Sequence, residues 1–99
     1  MIRPANSSFH IERDERQLLQ FPCDFPIKVM GKAEPGFEAM VVGIVRRHAP
    51  DLGEGAVSTR GSRGGRYVAV TLNVRAESRD QLDAIYRELS AHPDVLMSL

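Results

Sequence analysis

Large aliphatic side chains occupy every second position between residues 66 and 75. They are Val68, Val70, Leu72 and Val74. Successive side chains of a strand point to opposite faces of the sheet, so this period of two predicts a strand with one buried face. The other face would carry Tyr67, Ala69, Thr71, Asn73 and Arg75. The strand lies between two segments of helical periodicity, and this context determines the fold but not the activity.

The neighbouring segments predict the rest of the elements. Alternation predicts strands over residues 25–32, 56–62 and 94–99, and apolar spacings of three and four predict a helix over 37–48. A second helix should begin after Ser78, because Gln81 follows three residues later as in a capping box, and should end at His92-Pro93. A tight turn at Arg63-Gly64-Gly65 would join the two middle strands.

The predicted order β-α-β-β-α-β assigns the chain to the α+β class. With right-handed crossovers it packs as a four-stranded antiparallel sheet with both helices on one face, the ferredoxin-like sandwich. We expect residues 20–99 to form this single domain and residues 1–19 to be a flexible or partly helical N-terminal extension.

Three local predictions accompany this fold. Pro26 lacks an N–H group and is expected at the start of the first strand, where one ladder bond can be spared. Gly43 lies inside the first helix, and we expect it to allow close approach of a neighbouring element. In the last strand, Val95, Met97 and Leu99 are expected to share one face.

Charge and composition argue against several classes of protein. Thirteen basic residues balance thirteen acidic ones, so bulk charge does not favour nucleic acid or anionic lipid as a partner. The single cysteine, Cys23, excludes an internal disulfide and suits a reducing compartment. No apolar run approaches the length of a membrane span, and the N-terminus lacks the apolar region of a secretory signal. We therefore expect a cytoplasmic protein without a membrane partner.

Several segments resemble one family of small bacterial proteins. They are the run from Phe21 to Gly31, the segment Val45 to Pro50, the Gly-rich approach to the strand Tyr67–Leu72, and the terminal Val95 to Leu99. Together, over roughly residues 18–99, they are similar to the YbeD-like family. The resemblance implies a ferredoxin-like fold close to that of ACT regulatory domains. It implies no established activity and supplies no catalytic residues.

An arginine cluster is the best candidate for a binding site. Arg60, Arg63 and Arg66 are spaced by threes around glycines, and residues 60–76 contain no acid. Planar guanidinium groups can hold phosphate or carboxylate through paired hydrogen bonds. The alternative is an ordinary solvated hairpin tip, which is the usual environment of arginine.

The turn from Gly31 to Gly36 is a second candidate. In the related ACT domains small effectors bind between the first strand and the first helix, so the resemblance makes Gly31 and Lys32 candidate ligand contacts. Free amides at a helix N-terminus also attract anions. Two glycines and a proline are, however, what any strand-to-helix turn uses.

The outer face of the sheet is a third candidate. Its predicted residues, Lys28, Met30 and those that alternate with the valines of 66–75, are a mixture of polar and apolar. RNA-recognition sheets of this topology stack bases on aromatic rings, and only Tyr67 could serve here. A protein partner or the N-terminal segment is the better candidate for covering this face.

Catalysis has little support in the sequence. His10, His48 and His92 have no metal-ligand spacing, and we expect His48 to satisfy carbonyls at the end of the first helix. His92, in the turn before Pro93, is expected to be solvated. Cys23 could be a nucleophile but is more often a small apolar residue in this context. We expect no enzyme, no cofactor and no metal site.

The leading hypothesis is a non-catalytic, ACT-like regulatory or binding module for a small ligand or a protein partner. The last strand should lie at a sheet edge, which favours self-association, with a homodimer as the simplest outcome. The alternative is an RNA-binding protein that uses the Arg/Gly hairpin, although the balanced charge makes nucleic acid the less favoured partner.

Overall fold

A computed structural model describes residues 19–99 and contains four strands and two α-helices. The strands are β1 (Cys23–Lys32), β2 (Val57–Gly61), β3 (Tyr67–Ala76) and β4 (Val95–Ser98). The helices are α1 (Phe37–His48) and α2 (Arg79–Ala91), and a short 3-10 turn, Glu54–Ala56, precedes β2. The predicted N-terminal extension lies outside the described residues except for Leu19.

The sheet has the predicted topology. Its strand order is β2-β3-β1-β4, and every neighbouring pair is antiparallel. The two long central strands pair along their whole length, from Cys23 opposite Ala76 to Lys32 opposite Tyr67. The α+β, ferredoxin-like arrangement is therefore confirmed.

One core lies between the sheet and the helices. The alternating residues of β1 and β3 that face the helices are almost completely buried, and the apolar stripes of α1 and α2 cover them. The fully buried side chains with the largest volumes are Ile27, Leu72, Leu82, Ile85 and Leu89, followed by five valines. No polar side chain within residues 19–99 is buried. Both helices thus use one face of the sheet and leave the other face uncovered by them.

The position of Pro26 differs from the prediction. β1 begins at Cys23, so Pro26 lies inside the strand opposite Asn73. The N–H of Lys28 points towards β4 and donates to the carbonyl of Leu99. The nitrogen of Pro26, two residues earlier in β1, points to the same side. No residue of β4 lies opposite Pro26, because β4 ends at Ser98, which pairs with Val29. The proline therefore removes no ladder bond, which is why it is tolerated in a central strand.

The last strand also differs from the prediction. Met30 lies opposite Met97 but Gly31 lies opposite Val95, so a β-bulge at Leu96 interrupts the alternation. Val95 consequently faces the helices, whereas Met97 and Leu99 lie on the outer face beside Met30 and Lys28. The expectation that Val95, Met97 and Leu99 share a face was wrong, because the extra residue at the bulge places Val95 on the opposite face from Met97 and Leu99.

Two further local expectations were wrong. A Cβ atom added to Gly43 would meet nothing within 4 Å, so no neighbouring element approaches this glycine. The His48 side chain does not bond the helix carbonyls; its Nε2 lies 2.7 Å from Glu88 Oε1 on α2. The carbonyl of His48 is instead satisfied by Gln81 Nε2 at 2.8 Å. A cross-helix contact has therefore replaced the predicted cap.

Candidate functional site

Sheet register brings the candidate residues to one end of the molecule. Lys32, the last residue of β1, lies opposite Tyr67, the first of β3. One step further, the N–H of Ala33 donates to the carbonyl of Arg66 at 2.8 Å. The turn after β1 and the β2–β3 hairpin tip are thus hydrogen-bonded neighbours, although more than 30 residues separate Gly31 from Arg63 in the sequence.

The hairpin tip is held by its own hydrogen bonds. Ser62 N–H donates to the Tyr67 carbonyl at 2.8 Å, and the Ser62 hydroxyl accepts from Tyr67 N–H at 3.1 Å. Gly65, with φ 76°, supplies the left-handed residue that closes the turn. Arg63 and Arg66 project from this tip and are exposed. The bonds order the backbone of the tip and do not involve either guanidinium group.

The three arginines do not form one cluster of side chains. Arg60 lies in β2 opposite Ala69 and therefore points to the outer face, whereas Arg63 and Arg66 flank the turn. Arg60, Arg63, Arg66 and Lys32 make no ion pair with any residue in the described range. Arg47 and Arg75, by contrast, are paired with Glu88 and Asp24. These four cations are therefore not ion-paired with any residue of 19–99.

A cavity of about 270 Å³ opens beside Lys32. It lies between the turn after β1, the first turn of α1 and the start of β4. Phe37, Met40 and Leu96 are its large apolar lining residues, while Lys32, Glu34 and Asp94 bring charge to it. The remaining lining residues are Pro35, Gly36 and Pro93. An apolar floor with opposite charges on its walls suits a small ligand that carries both kinds of group.

Gly31 supports this cavity from below. A Cβ atom at Gly31 would lie 2.3 Å from Phe37 Cε1 and 2.6 Å from the carbonyl oxygen of Asp94. Only glycine allows the Phe37 ring and the start of β4 to approach the strand this closely. Gly31 itself does not line the cavity, so its role is to place Phe37 and Asp94, whereas Lys32 is in direct reach of a ligand.

Sequence reasoning missed most of the cavity. The apolar spacing over 37–48 predicts the helix that carries Phe37 and Met40, but it does not reveal that both side chains also line a cavity. Leu96, the residue at the bulge, lines the cavity too, and simple alternation in the last strand does not predict a bulge. The one available signal was Phe37 itself, a large apolar residue in the first turn of α1, next to a Gly/Pro turn.

His10 lies outside the described residues, and the remaining reactive side chains of residues 19–99 form no site. Cys23 is a free, half-buried thiol at the start of β1. His92 Nδ1 accepts the N–H of Asp94 at 3.1 Å, so His92 orders the turn before β4 and is only half exposed. Within residues 19–99, no three His, Cys, Asp or Glu side chains are grouped as metal ligands. Over the same range, neither helix combines the length and apolar character of a bilayer-crossing segment.

Comparison with known proteins gives one consistent result. Residues 16–99 match the family described as "Protein of unknown function (DUF493)". A UPF0250 protein of Nitrosomonas europaea is 46% identical over 85 residues, which cover 86% of this chain and 98% of that protein. A UPF0250 protein of Chromobacterium violaceum is 51% identical over 87 residues, covering 87% and 98% respectively. The chain therefore belongs to the DUF493 family, the YbeD-like group of bacterial proteins that its sequence segments resemble.

Proposed function

We propose that this chain is a non-catalytic regulatory module that binds a small effector in the cavity beside Lys32. One observation carries the proposal: a cavity is lined by residues of the turn after β1, the turn that the sequence analysis named as a candidate ligand site. Its volume of about 270 Å³ lies just below the common range of ligand pockets, roughly 300–1,000 Å³, and favours a molecule of amino-acid size over a nucleotide.

The lining indicates the chemical class of effector. Lys32 offers an ammonium group to a carboxylate, and Glu34 and Asp94 offer carboxylates to an amine. Phe37, Met40 and Leu96 offer apolar contact to a short side chain. A zwitterion with an apolar group, such as a free amino acid, would match all of these features at once.

A thermal-shift and calorimetric screen of amino acids tests the proposal. A ligand that binds only the native state raises the free energy of unfolding by RT ln(1 + [L]/Kd), and Tm rises as a result. Lys32→Gln removes the carboxylate contact and should weaken binding of the active compound about tenfold, the usual consequence of losing one charge-assisted bond. Lys28→Gln is the matched control, because Lys28 is an exposed lysine of the same strand that does not line the cavity.

Two results would contradict the proposal. One is the absence of any Tm change across the panel at millimolar concentration. The other is equal loss of binding in Lys32→Gln and Lys28→Gln, which would indicate a general charge effect rather than this cavity. The RNA-binding alternative has less support, since Tyr67 is the one aromatic residue on the outer-face strand positions of residues 19–99.

Self-association through β4 is a second candidate property. Tyr67, Leu96, Met97 and Leu99 are the exposed large apolar residues of the described range, and three of these lie in or directly after β4. Because β4 is an edge strand, its outer N–H and C=O groups are available for pairing with another strand. A second copy presenting the same edge across a two-fold axis would cover both the backbone groups and the apolar side chains.

A further inference from the structure

A depression on the outer face of the sheet lies apart from the cavity beside Lys32. Its volume is about 350 Å³, and it is lined by Lys28, Ser58, Thr59, Arg60, Ala69 and Thr71. These residues come from three adjacent strands, β1, β3 and β2. None of them lines the effector cavity.

The register explains why a depression forms here. Ser58 lies opposite Thr71, which lies opposite Lys28; two pairs along, and therefore on the same face, Arg60 lies opposite Ala69. Ala69 is the smallest of these side chains and leaves a gap between longer neighbours on both sides. Strands are about 4.8 Å apart, so Lys28 and Arg60 flank a gap roughly two strand spacings wide, which both long side chains can reach across.

Four of the five polar side chains around the depression have no side-chain partner within residues 19–99. Neither Lys28 nor Arg60 makes an ion pair, and neither the Ser58 nor the Thr71 hydroxyl makes a side-chain hydrogen bond there. The Thr59 hydroxyl is already engaged, since it donates to Glu38 Oε1 at 2.6 Å on the helix side of the sheet. Two cations and two hydroxyls therefore converge on one small concavity.

The acids of this face are too far along the sheet to neutralise it. Asp24 is the one acidic residue among the outer-face positions of the four strands, and it pairs with Arg75 at 3.3 Å near the opposite end. Lys28 and Arg60 are thus flanked by Thr71, Asn73 and Met30 rather than by carboxylates. Among the outer-face strand positions of residues 19–99, an anion placed over Ala69 would therefore meet positive charge from both sides and no acid other than the paired Asp24.

We propose that this depression binds the phosphate group of a small molecule. Arg60 would present a planar pair of N–H donors, Lys28 a point charge, and the Ser58 and Thr71 hydroxyls two further donors. Phosphate oxygens accept several such bonds at once, which a single carboxylate cannot match as fully. The site is distinct from the effector cavity and does not depend on the proposed function.

An NMR titration with inorganic phosphate and pyrophosphate tests the site, with sodium chloride holding the ionic strength constant. Saturable amide shifts should centre on Ser58, Arg60, Ala69 and Thr71. Lys28→Gln and Arg60→Gln should each weaken binding about tenfold. Thr71→Val, which keeps the side-chain shape, should weaken it by a smaller factor. All these positions are exposed or half-buried, and circular dichroism verifies that the variants fold.

A matched control separates this site from general charge. Arg87→Gln removes one exposed cation of α2 that makes no ion pair within residues 19–99, and it should leave the phosphate affinity unchanged. Equal weakening in this control, shifts spread over all exposed cations, or no saturation at tens of millimolar would overturn the proposal. Tighter binding of an RNA oligonucleotide than of pyrophosphate, lost in Arg63→Gln and Arg66→Gln, would overturn it in favour of a nucleic-acid surface.

Discussion

At the residue scale, Gly31 and Gly43 show how one residue type has opposite structural roles. Gly31 is buried in β1 against the Phe37 ring and the Asp94 carbonyl, with no space for a methyl group. Gly43 lies within α1 with open space around its Cα. The first glycine is required by packing, whereas the second only costs the helix conformational entropy.

Substitution by alanine should therefore change stability in opposite directions at the two positions. Gly31→Ala forces Phe37 or β4 to move and should lower the free energy of unfolding by about 1–3 kcal/mol. Gly43→Ala should raise it by about 0.5–1 kcal/mol, because alanine is the better helix former. Urea denaturation of both variants beside the parent protein measures the two changes. Two changes of the same sign would contradict this assignment of roles.

At the element scale, the start of α2 is tied to the end of α1. The Ser78 hydroxyl accepts the N–H of Gln81 at 3.1 Å, which confirms the predicted N-cap. The Gln81 side chain then accepts from Glu77 N–H at 2.7 Å and donates to the His48 carbonyl at 2.8 Å. One residue of the capping box thus also satisfies a terminal carbonyl of the other helix.

Loss of this cap should destabilise the protein measurably. Ser78→Ala removes the acceptor for Gln81 N–H and should cost about 1 kcal/mol of unfolding free energy. Gln81→Ala removes both side-chain bonds and should cost at least as much. Ser90→Ala is the control, since Ser90 is an exposed residue near the other end of α2 whose side chain bonds to no other residue of 19–99. Chemical denaturation should place Ser90→Ala within about 0.5 kcal/mol of the parent. If it matched Ser78→Ala, the cap would have no special role.

The Arg47 and His48 contacts with Glu88 are the second connection between the helices. They lie near the surface, where ion pairs are screened by solvent and contribute about 0.2–1 kcal/mol to the free energy of unfolding. They orient α1 against α2 more than they stabilise the fold, and most of the packing energy comes from the buried apolar stripes.

At the scale of the whole molecule, the two faces of the sheet differ: the helices pack on one face and do not cover the other. The helices enclose all of the buried core on one side. The other side carries the phosphate-binding depression and, at its β4 margin, the exposed Met97 and Leu99. A second copy joined edge to edge along β4 would extend this sheet without placing Lys28 or Arg60 of one copy over those of the other.

Sedimentation velocity over a range of concentrations tests this assembly. We expect a monomer–dimer equilibrium, and Met97→Lys should weaken the dimer at least about tenfold by placing like charges across the two-fold axis. Tyr67→Lys adds the same charge at an exposed apolar residue outside β4 and should leave the equilibrium unchanged. A strictly monomeric parent protein at high concentration would exclude the β4 dimer.

The element order, the sheet topology and the single core follow from the sequence alone. The alternation over 66–75, the helical stripe of α1 and the Ser78–Gln81 pair are local patterns, and local backbone geometry is enough to interpret them. The same patterns place Lys28, Tyr67 and Arg75 on the outer face, as the register confirms. The edge position of β4 follows from the topology rules.

Tertiary structure decided what the side chains meet. The bulge at Leu96, the Gln81–His48 bond and the close approach of Asp94 to Gly31 all involve residues that are distant in sequence, so no local pattern reveals them. The candidate sites also depend on which distant segments the fold brings together. Register alone separates Arg60 from Arg63 and Arg66 and brings it near Lys28, because pairing between strands, not spacing along the chain, determines which charges share a surface.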